Sequence, residues 1–401
     1  MTTTSKHGKK FLKLASRLGY VPSYIFAKLD AEKLKLSEKG IDVIDLSLGS
    51  PDLPSPEIVI KACEKALQDP INYRYPPFWG QNKFKHAAAN WMKKRFSVEL
   101  DPESEIFPLA GSKEGIAHLA LALIDPGDVS IVPTPCYPAH SRGTLLAGGS
   151  VYELPLLEKN NYLPDLDSIP QDILDKAKMF FISYPNNPTG ATCGIELFEK
   201  LVRICTKNEI LLISDLAYSE LTFDGHVAPS IFQVKGAKDI AIEFHSFSKT
   251  YSMAGWRIAF VAGNPDIIKA MYEMKTHIDY GVCNITQAAS INAFDIPLSE
   301  HEKTRAIYQE RRDVVVDGLK ELGWNIKKPL GAMYVWFPLP KQYKTSFEFC
   351  SALLEQAHVA TIPGGSFGTY GEGYIRIALV DNKDRLKTAI QRMKQVGIYY
   401  K

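Results

Sequence analysis

Short apolar runs and longer amphipathic runs alternate along the first two thirds of the chain. The short runs predict strands, at residues 106–110, 129–132, 151–156, 179–183, 209–214 and 256–262. The amphipathic runs predict helices, the clearest at residues 24–39, 82–96 and 116–124. Strands that alternate with helices are typical of an α/β domain with a mostly parallel sheet.

The last hundred residues have a different pattern. A run of mixed acidic and basic residues over 299–322 predicts a long connecting helix. It leads to a predicted strand, helix and strand at residues 332–337, 346–356 and 374–380. In the last strand apolar residues alternate toward a core, so Arg376 faces the opposite side. We therefore expect a second, smaller lobe.

Composition narrows the class of partner. The 401 residues are 45% hydrophobic and carry a formal net charge of +2, too small to attract nucleic acid or a membrane surface. The six cysteines have neither paired nor metal-binding spacing, as expected for reduced thiols in the cytoplasm. The basic start at residues 1–20 has a single arginine, which favours an ordinary N-terminal arm over a transit peptide. A small-molecule partner is favoured.

Candidate chemistry begins with a lysine flanked by serines and an arginine. Ser246 and Ser248 precede Lys249, and Arg257 follows a few residues later. Hydroxyl donors and a fixed positive charge suit the phosphate of pyridoxal 5'-phosphate (PLP), whose aldehyde forms a Schiff base with a lysine. Taken alone, the pattern also fits a surface lysine beside a strand.

Two further segments indicate an anion site and a buried acid. Gly111, Ser112 and Lys113 follow a predicted strand and precede a predicted helix, where free N–H groups favour a phosphate. Asp215 ends a buried strand, with Tyr218 three residues later, and its carboxylate can pair with a protonated pyridine nitrogen. A tight turn and a helix N-cap remain open as alternative interpretations.

Five loop or strand residues complete the candidates. Tyr137 follows a strand and can stack on a flat ring, while Asn187 offers a donor and an acceptor to a phenolate oxygen. The backbone at Gly49 can approach a ligand closely, and the phenol of Tyr75 can reach a phosphate oxygen. Arg376 can bind a carboxylate through two parallel hydrogen bonds. Turn, packing and solvated-arginine interpretations remain open for these residues.

Taken in order along the chain, these features resemble the class I/II aminotransferases of the fold type I PLP enzymes, over about residues 17–394. The resemblance implies a large PLP-binding domain with a mostly parallel seven-stranded sheet flanked by helices. It also implies a smaller α+β domain built from both chain ends. We place the divisions at residues 1–48, 49–298 and 299–401.

The resemblance further implies a role for each candidate. Lys249 is the Schiff-base lysine, Asp215 pairs with the pyridine nitrogen, and Tyr137 stacks on the ring. Tyr218 and Asn187 hold the ring's phenolate oxygen. The phosphate is bound by hydroxyl and basic groups, with a tyrosine reaching in from a second subunit: Ser112, Lys113, Ser246, Ser248, Arg257 and Tyr75. The substrate α-carboxylate is bound by Gly49, Asn187 and Arg376. A homodimer is implied, and no metal.

By the same resemblance the chain moves an amino group between an L-amino acid and a 2-oxo acid. The segments 46–52, 110–115, 279–281 and 362–368 are similar to bacterial glutamate-pyruvate (alanine) aminotransferases and their LL-diaminopimelate relatives. Glutamate or alanine, with pyruvate or 2-oxoglutarate, is the first expectation. LL-diaminopimelate or aspartate aminotransferase is the alternative, and a PLP-dependent carbon-sulfur β-lyase is a further one.

Two features bear on these alternatives. Phe78 and Trp79 stand where the family usually has small or acidic residues, which leaves the shape of the substrate entrance open. A PLP-fold regulator that binds DNA is disfavoured, because the stretch ahead of Leu46 is too short for a DNA-binding domain.

Overall fold

The structure is a computed structural model that describes residues 2–4, 10–21 and 26–400. Its strands are β1 (Thr2–Thr4), β2 (Lys10–Lys13), β3 (Ile44–Asp45), β4 (Ile106–Leu109), β5 (Val129–Thr134), β6 (Ser150–Pro155), β7 (Ala177–Ile182), β8 (Leu211–Asp215), β9 (Ala241–Ser246), β10 (Ala259–Gly263), β11 (Tyr334–Pro338), β12 (Val359–Ala360), β13 (Ile362–Pro363) and β14 (Tyr374–Ala378). Part of the basic start, including Lys6 and Lys9, lies outside the described residues.

The α-helices surround these strands. They are α1 (Phe26–Glu38), α2 (Glu57–Leu67), α3 (Asn82–Phe96), α4 (Ser112–Leu123), α5 (Ala139–Ala147), α6 (Gln171–Leu174), α7 (Ile195–Lys207), α8 (Ala237–Ile240), α9 (Phe247–Thr250), α10 (Pro265–Thr276), α11 (Asn284–Ser290), α12 (Leu298–Glu321), α13 (Ser346–Ala352) and α14 (Lys383–Gln395). Short 3-10 turns join many of them, and α13 continues as a π-helical turn over Leu353–Ala357. No helix in the described ranges has the length and apolarity needed to cross a membrane.

Among the described residues, seven strands form the large sheet, in the order β4-β10-β9-β8-β7-β5-β6. Strand β10 is antiparallel to both of its neighbours, and the other paired strands are parallel. Apolar clusters line both faces of the sheet, and helices such as α3, α4 and α7 cover them. The predicted α/β fold with a mostly parallel seven-stranded sheet is confirmed.

The second lobe is built around a small antiparallel sheet in the order β11-β14-β13. Strand β3, near the N-terminus, pairs in parallel with β12, so the early chain joins the late chain. A separate apolar cluster contains residues from both parts, among them Ile44, Leu46, Val316 and Ile377. The divisions at residues 1–48, 49–298 and 299–401 stay predictions.

Candidate active site

Strand direction brings the candidate residues to one edge of the large sheet. Parallel strands share a carboxyl edge, so the loops after β5, β7, β8 and β9 all begin there. Strand β10 runs the opposite way and therefore starts at this edge, where Ala259 pairs with both Ser246 and Leu109. Residues far apart in the chain can therefore line one site.

Lys249 lies on the short helix α9, directly after β9. The hydroxyl of Ser246 accepts a hydrogen bond from the backbone N–H of Ser248 at 3.2 Å, which caps this helix. The Lys249 ammonium donates to the backbone carbonyl of Gly49. Burial, together with the positive charges of Arg376 and Arg257, lowers the pKa of the Lys249 amine. This lysine is thus held in place, and its lowered pKa leaves more of its amine unprotonated at neutral pH than in a surface lysine.

Gly111, Ser112 and Arg257 form a cradle of donors at the start of α4. Gly111 has a φ of +92°, and a Cβ there would overlap the Arg257 guanidinium. Arg257 donates to the carbonyl of Ala110 at 3.2 Å. The Ser112 hydroxyl is buried and has no hydrogen-bond partner among the described residues, while the side chain of Lys113 is exposed. The helix starts at Ser112, earlier than predicted, so its free N–H groups lie within this cradle.

Asp215, the last residue of β8, is buried, and only one of its two carboxylate oxygens has a hydrogen-bond partner among the described residues. Its Oδ2 lies 2.8 Å from Nε2 of His140, and its Oδ1 is buried without a partner in the described part of the chain. His140 stacks on Phe181 with ring centroids 5.3 Å apart and meets the ring of Tyr137 edge-on. Asp215 therefore has one oxygen held by His140, and its other oxygen can accept a hydrogen bond from a ligand.

Arg376 is buried where the small sheet meets the large one. Its Nη1 donates to Oδ1 of Asn187 at 2.8 Å, and its Nη2 donates to the carbonyl of Ser47 at 2.8 Å. The guanidinium carbon lies 4.2 Å from the centroid of the Tyr334 ring. Among the described residues no carboxylate pairs with Arg376, and a buried cation without such a partner is costly, which favours an anionic ligand at this position.

Tyr218 and Tyr334 form a buried phenol pair with their oxygens 2.8 Å apart. Burial, and then the proximity of Tyr334, raises the pKa of Tyr218 well above its ordinary value. For Tyr334 burial acts to raise the pKa, but the positive charges of Lys249 and Arg376 outweigh it and lower that pKa. The hydroxyl of Tyr218 thus stays protonated at physiological pH.

Tyr75 lies apart from this group. It is 77% exposed, and its ring stacks on that of Tyr280 with centroids 4.3 Å apart. Phe78 stacks on the same Tyr280 ring at 5.2 Å, so Tyr280 holds the rings of Tyr75 and Phe78 together in one stacked group. Within one chain the structure does not bring Tyr75 to the other candidates.

These residues fit PLP on chemical grounds. The unpaired hydroxyl of Ser112, the start of α4 and the positive charge of Arg257 suit a phosphate, and the free Oδ1 of Asp215 can accept from a protonated ring nitrogen. Tyr218 and Asn187 offer polar groups, and Lys249 offers an amine of lowered pKa. A lysine that forms a Schiff base and a partner for the pyridinium nitrogen are groups that PLP enzymes use to hold the cofactor.

The profile of the family described as aminotransferase class I and II matches residues 41–393, and the chain belongs to this family. It is 45% identical over 390 residues to LL-diaminopimelate aminotransferase 2 of Nostoc sp., a match that covers 97% of this chain and 100% of that one. It is 45% identical over 384 residues to LL-diaminopimelate aminotransferase of Aquifex aeolicus, with coverage of 96% and 99%.

The fold agrees with solved structures. The substrate-bound structure of BacF from Bacillus subtilis superimposes with a TM-score of 0.94 at 36% identity, covering 98% of this chain and 99% of that one. The protein is therefore a PLP-dependent aminotransferase that acts on amino acids and 2-oxo acids. His140 and Tyr334 belong to the site but were not predicted, because no local motif marks them.

Proposed function

We propose that this enzyme is an LL-diaminopimelate aminotransferase that serves amino-acid biosynthesis. The observation that supports it is the name shared by relatives 41–45% identical over nearly the whole chain. The first expectation, glutamate or alanine as the amino donor with pyruvate or 2-oxoglutarate, has no support from these relatives. These relatives favour the alternative, LL-diaminopimelate aminotransferase, over that first expectation.

The test compares amino donors on the purified holoenzyme. Each of LL-diaminopimelate, L-glutamate, L-alanine and L-aspartate is mixed singly with the enzyme, and the loss of the cofactor's absorbance band is followed by stopped flow. We expect LL-diaminopimelate to give the highest ratio of rate to half-saturating concentration. A higher ratio for alanine or aspartate would contradict the proposal. Pyruvate released from cystathionine without an amino acceptor would instead support the β-lyase alternative.

We propose the following division of roles within the site. Bound PLP supplies a ring that withdraws electrons from the substrate α-carbon. Arg376, with Asn187 and the Gly49 backbone, binds the α-carboxylate and so fixes which C–H bond faces Lys249. Lys249 holds the cofactor at rest, and its freed amine takes the α-proton. Asp215 keeps the ring nitrogen protonated because it provides a buried negative charge.

The role of Lys249 has a direct test. Borohydride reduction of the holoenzyme should fix the cofactor to Lys249, and peptide mapping by mass spectrometry locates it. We expect Lys249→Ala to show no label and no measurable transamination, while Lys238→Ala, which changes a lysine more than 40% exposed in its side chain, keeps both. A label on another lysine would overturn the assignment.

We also propose a homodimer in the cytoplasm. An exposed group of aromatic side chains at Tyr73, Tyr75 and Tyr280 supports a surface that a second copy covers, with Tyr75 then reaching the neighbouring phosphate site. All six cysteines are free thiols in the described part of the chain, which suits a reducing compartment. Sedimentation equilibrium tests the homodimer, and cell fractionation tests the cytoplasmic location.

A further inference from the structure

Tyr334 lies between the residues proposed to bind the substrate and those proposed to hold the cofactor ring. It is the first residue of β11, and only 2% of its surface is exposed. Strand β11 pairs with β14, which carries Arg376. The position of Tyr334 is therefore fixed by a sheet and not by a loop.

The ring of Tyr334 contacts the proposed carboxylate-binding group. The guanidinium carbon of Arg376 lies 4.2 Å from the Tyr334 ring centroid and 4.7 Å from that of Phe367. A guanidinium is attracted to the face of an aromatic ring, and more strongly when both are buried. The two rings thus restrict the orientation of the guanidinium plane of Arg376. Its hydrogen bonds to Asn187 and to the Ser47 carbonyl restrict rotation within that plane.

The hydroxyl of Tyr334 contacts a second part of the site. It lies 2.8 Å from the hydroxyl of Tyr218, and the two rings meet at 74° with centroids 5.7 Å apart. It also lies against Gly49, where any Cβ would overlap it. One side chain thus links Arg376, Tyr218 and the Gly49 backbone, to which Lys249 donates.

We propose that Tyr334 is a positioning residue with two separable actions. Its ring holds the guanidinium of Arg376 in the plane that receives a carboxylate, and its hydroxyl orients that of Tyr218. Tyr334 touches no reacting atom in this scheme. The inference rests on the proposed roles of Arg376 and Tyr218, and it assigns a function to a residue that those roles do not include.

The action of the ring is tested by comparing two substitutions. Tyr334→Phe keeps the aromatic face, and we expect KM for amino acid and 2-oxo acid to stay within about twofold of wild type. Tyr334→Met fills a similar volume without an aromatic face, and we expect both KM values to rise about tenfold, with a smaller change in kcat. If Tyr334→Met does not fold, as judged by circular dichroism, Tyr334→Leu replaces it. Unchanged KM values in a folded variant overturn this part of the proposal.

The action of the hydroxyl is tested by a double-mutant cycle read by spectroscopy. The absorbance of the bound cofactor is titrated with pH, and Tyr334→Phe should move the midpoint by about 0.4–1 pH unit, the size expected for one hydrogen bond. In a Tyr218→Phe background the same substitution should cause no further movement, since Tyr334 acts through Tyr218. Equal movements in the two backgrounds overturn this part of the proposal.

Two further variants make the outcomes distinguishable. Tyr308→Phe is the matched control, because Tyr308 is fully buried, has Arg311 over its ring at 5.2 Å, and has a hydroxyl without a hydrogen-bond partner among the described residues. It should change neither KM nor the midpoint. Arg376→Lys should raise KM strongly. If it does not, the proposed site is wrong; if it does and Tyr334→Met does not, only the role of Tyr334 is wrong.

Discussion

At the scale of single residues, the site depends on a half-buried lysine whose charge is opposed by two nearby arginines. Lys249 donates to Gly49, and its pKa is lowered first by burial and then by the charges of Arg376 and Arg257. A lowered pKa leaves more of the amine unprotonated at neutral pH. The environment, and not the lysine itself, sets its reactivity.

Replacing Arg257 should make this lysine less reactive. With one positive charge removed, the pKa of Lys249 should rise toward its ordinary value. The rate at which trinitrobenzenesulfonate modifies Lys249 in the apoenzyme, followed by mass spectrometry across pH, should then have its midpoint at higher pH in Arg257→Gln. Arg203→Gln, a change at an exposed helix position, is the control. A midpoint that stays or falls contradicts the electrostatic argument.

The activity of the enzyme should depend on the negative charge of Asp215, even in a variant that keeps the shape of the side chain. In Asp215→Asn the free oxygen can no longer provide a negative charge, so we expect kcat to fall at least about 100-fold while KM changes little. Steady-state kinetics measure kcat and KM, and stopped-flow kinetics measure the rate of the single half-reaction. Asp172→Asn, at an exposed acid, should have wild-type rates. A large change in KM with an unchanged kcat would contradict the role.

These residues differ in how far the sequence could predict them. Lys249 stands in a short motif of serines and an arginine, and Asp215 stands at the end of an apolar run, so their residue types and neighbours indicate chemistry. His140 meets Asp215 across 75 positions, and Tyr334 meets Tyr218 across 116. Contacts between residues so far apart depend on the assembled sheet, and no local pattern contains them.

At the scale of elements, apolar periodicity succeeded where burial and polarity agree. Helix α3 was predicted at 82–96 and is found at Asn82–Phe96. Strand β10 begins at Ala259, later than predicted, because Ala254–Trp256 form a 3-10 turn and Arg257 has a φ of +53°. Strand β9 was not predicted from its pattern, since Glu243 and His245 interrupt its apolar residues.

The buried carboxylate of Glu243 is satisfied by its neighbours, one of which is His245. Glu243 is fully buried and accepts hydrogen bonds from the hydroxyls of Ser214 and Ser230 and from the backbone N–H of Ile231, at 2.7–3.0 Å. Nε2 of His245 lies 3.0 Å from the same carboxylate. This network joins β8, β9 and the turn at Ser230 just behind the site.

Removing that carboxylate should destabilise the large sheet. In Glu243→Ala several buried donors lose their acceptor, so we expect the free energy of unfolding to fall by about 3 kcal/mol. Urea denaturation followed by circular dichroism measures it. Glu199→Ala, at an exposed helix position, should change it by less than about 0.5 kcal/mol. Equal stabilities for the two variants would show that the network contributes little.

At the scale of the whole molecule, contacts distant in sequence join the early part of the chain to the late part. Asp52 and Arg311 form a two-fold salt bridge at 2.6 and 2.7 Å, and β3 pairs with β12. The resemblance indicated a lobe built from both chain ends, whereas composition and periodicity alone indicated only a late lobe. Hydrophobic pattern reports which face of an element is buried, not which distant element buries it.

If Tyr75 serves a neighbouring subunit, two inactive variants should restore each other. Lys249→Ala and Tyr75→Ala are mixed, unfolded and refolded together at equal concentration. Half of the dimers should then be hybrids with one intact site each, which gives about one quarter of wild-type activity at low PLP concentration. Each variant refolded alone is the control. Activity no higher than the mean of the controls would show that each subunit uses its own Tyr75.

Gly49 and Tyr334 share one small volume, and this has a consequence for the engineering of the enzyme. A methyl group at position 49 would occupy the place of the phenol oxygen, so Gly49→Ala tested alone would score as intolerant. A library that varies both together should recover pairs in which a smaller side chain at 334 admits alanine at 49. Directed evolution of new donor preferences should therefore randomise these positions jointly.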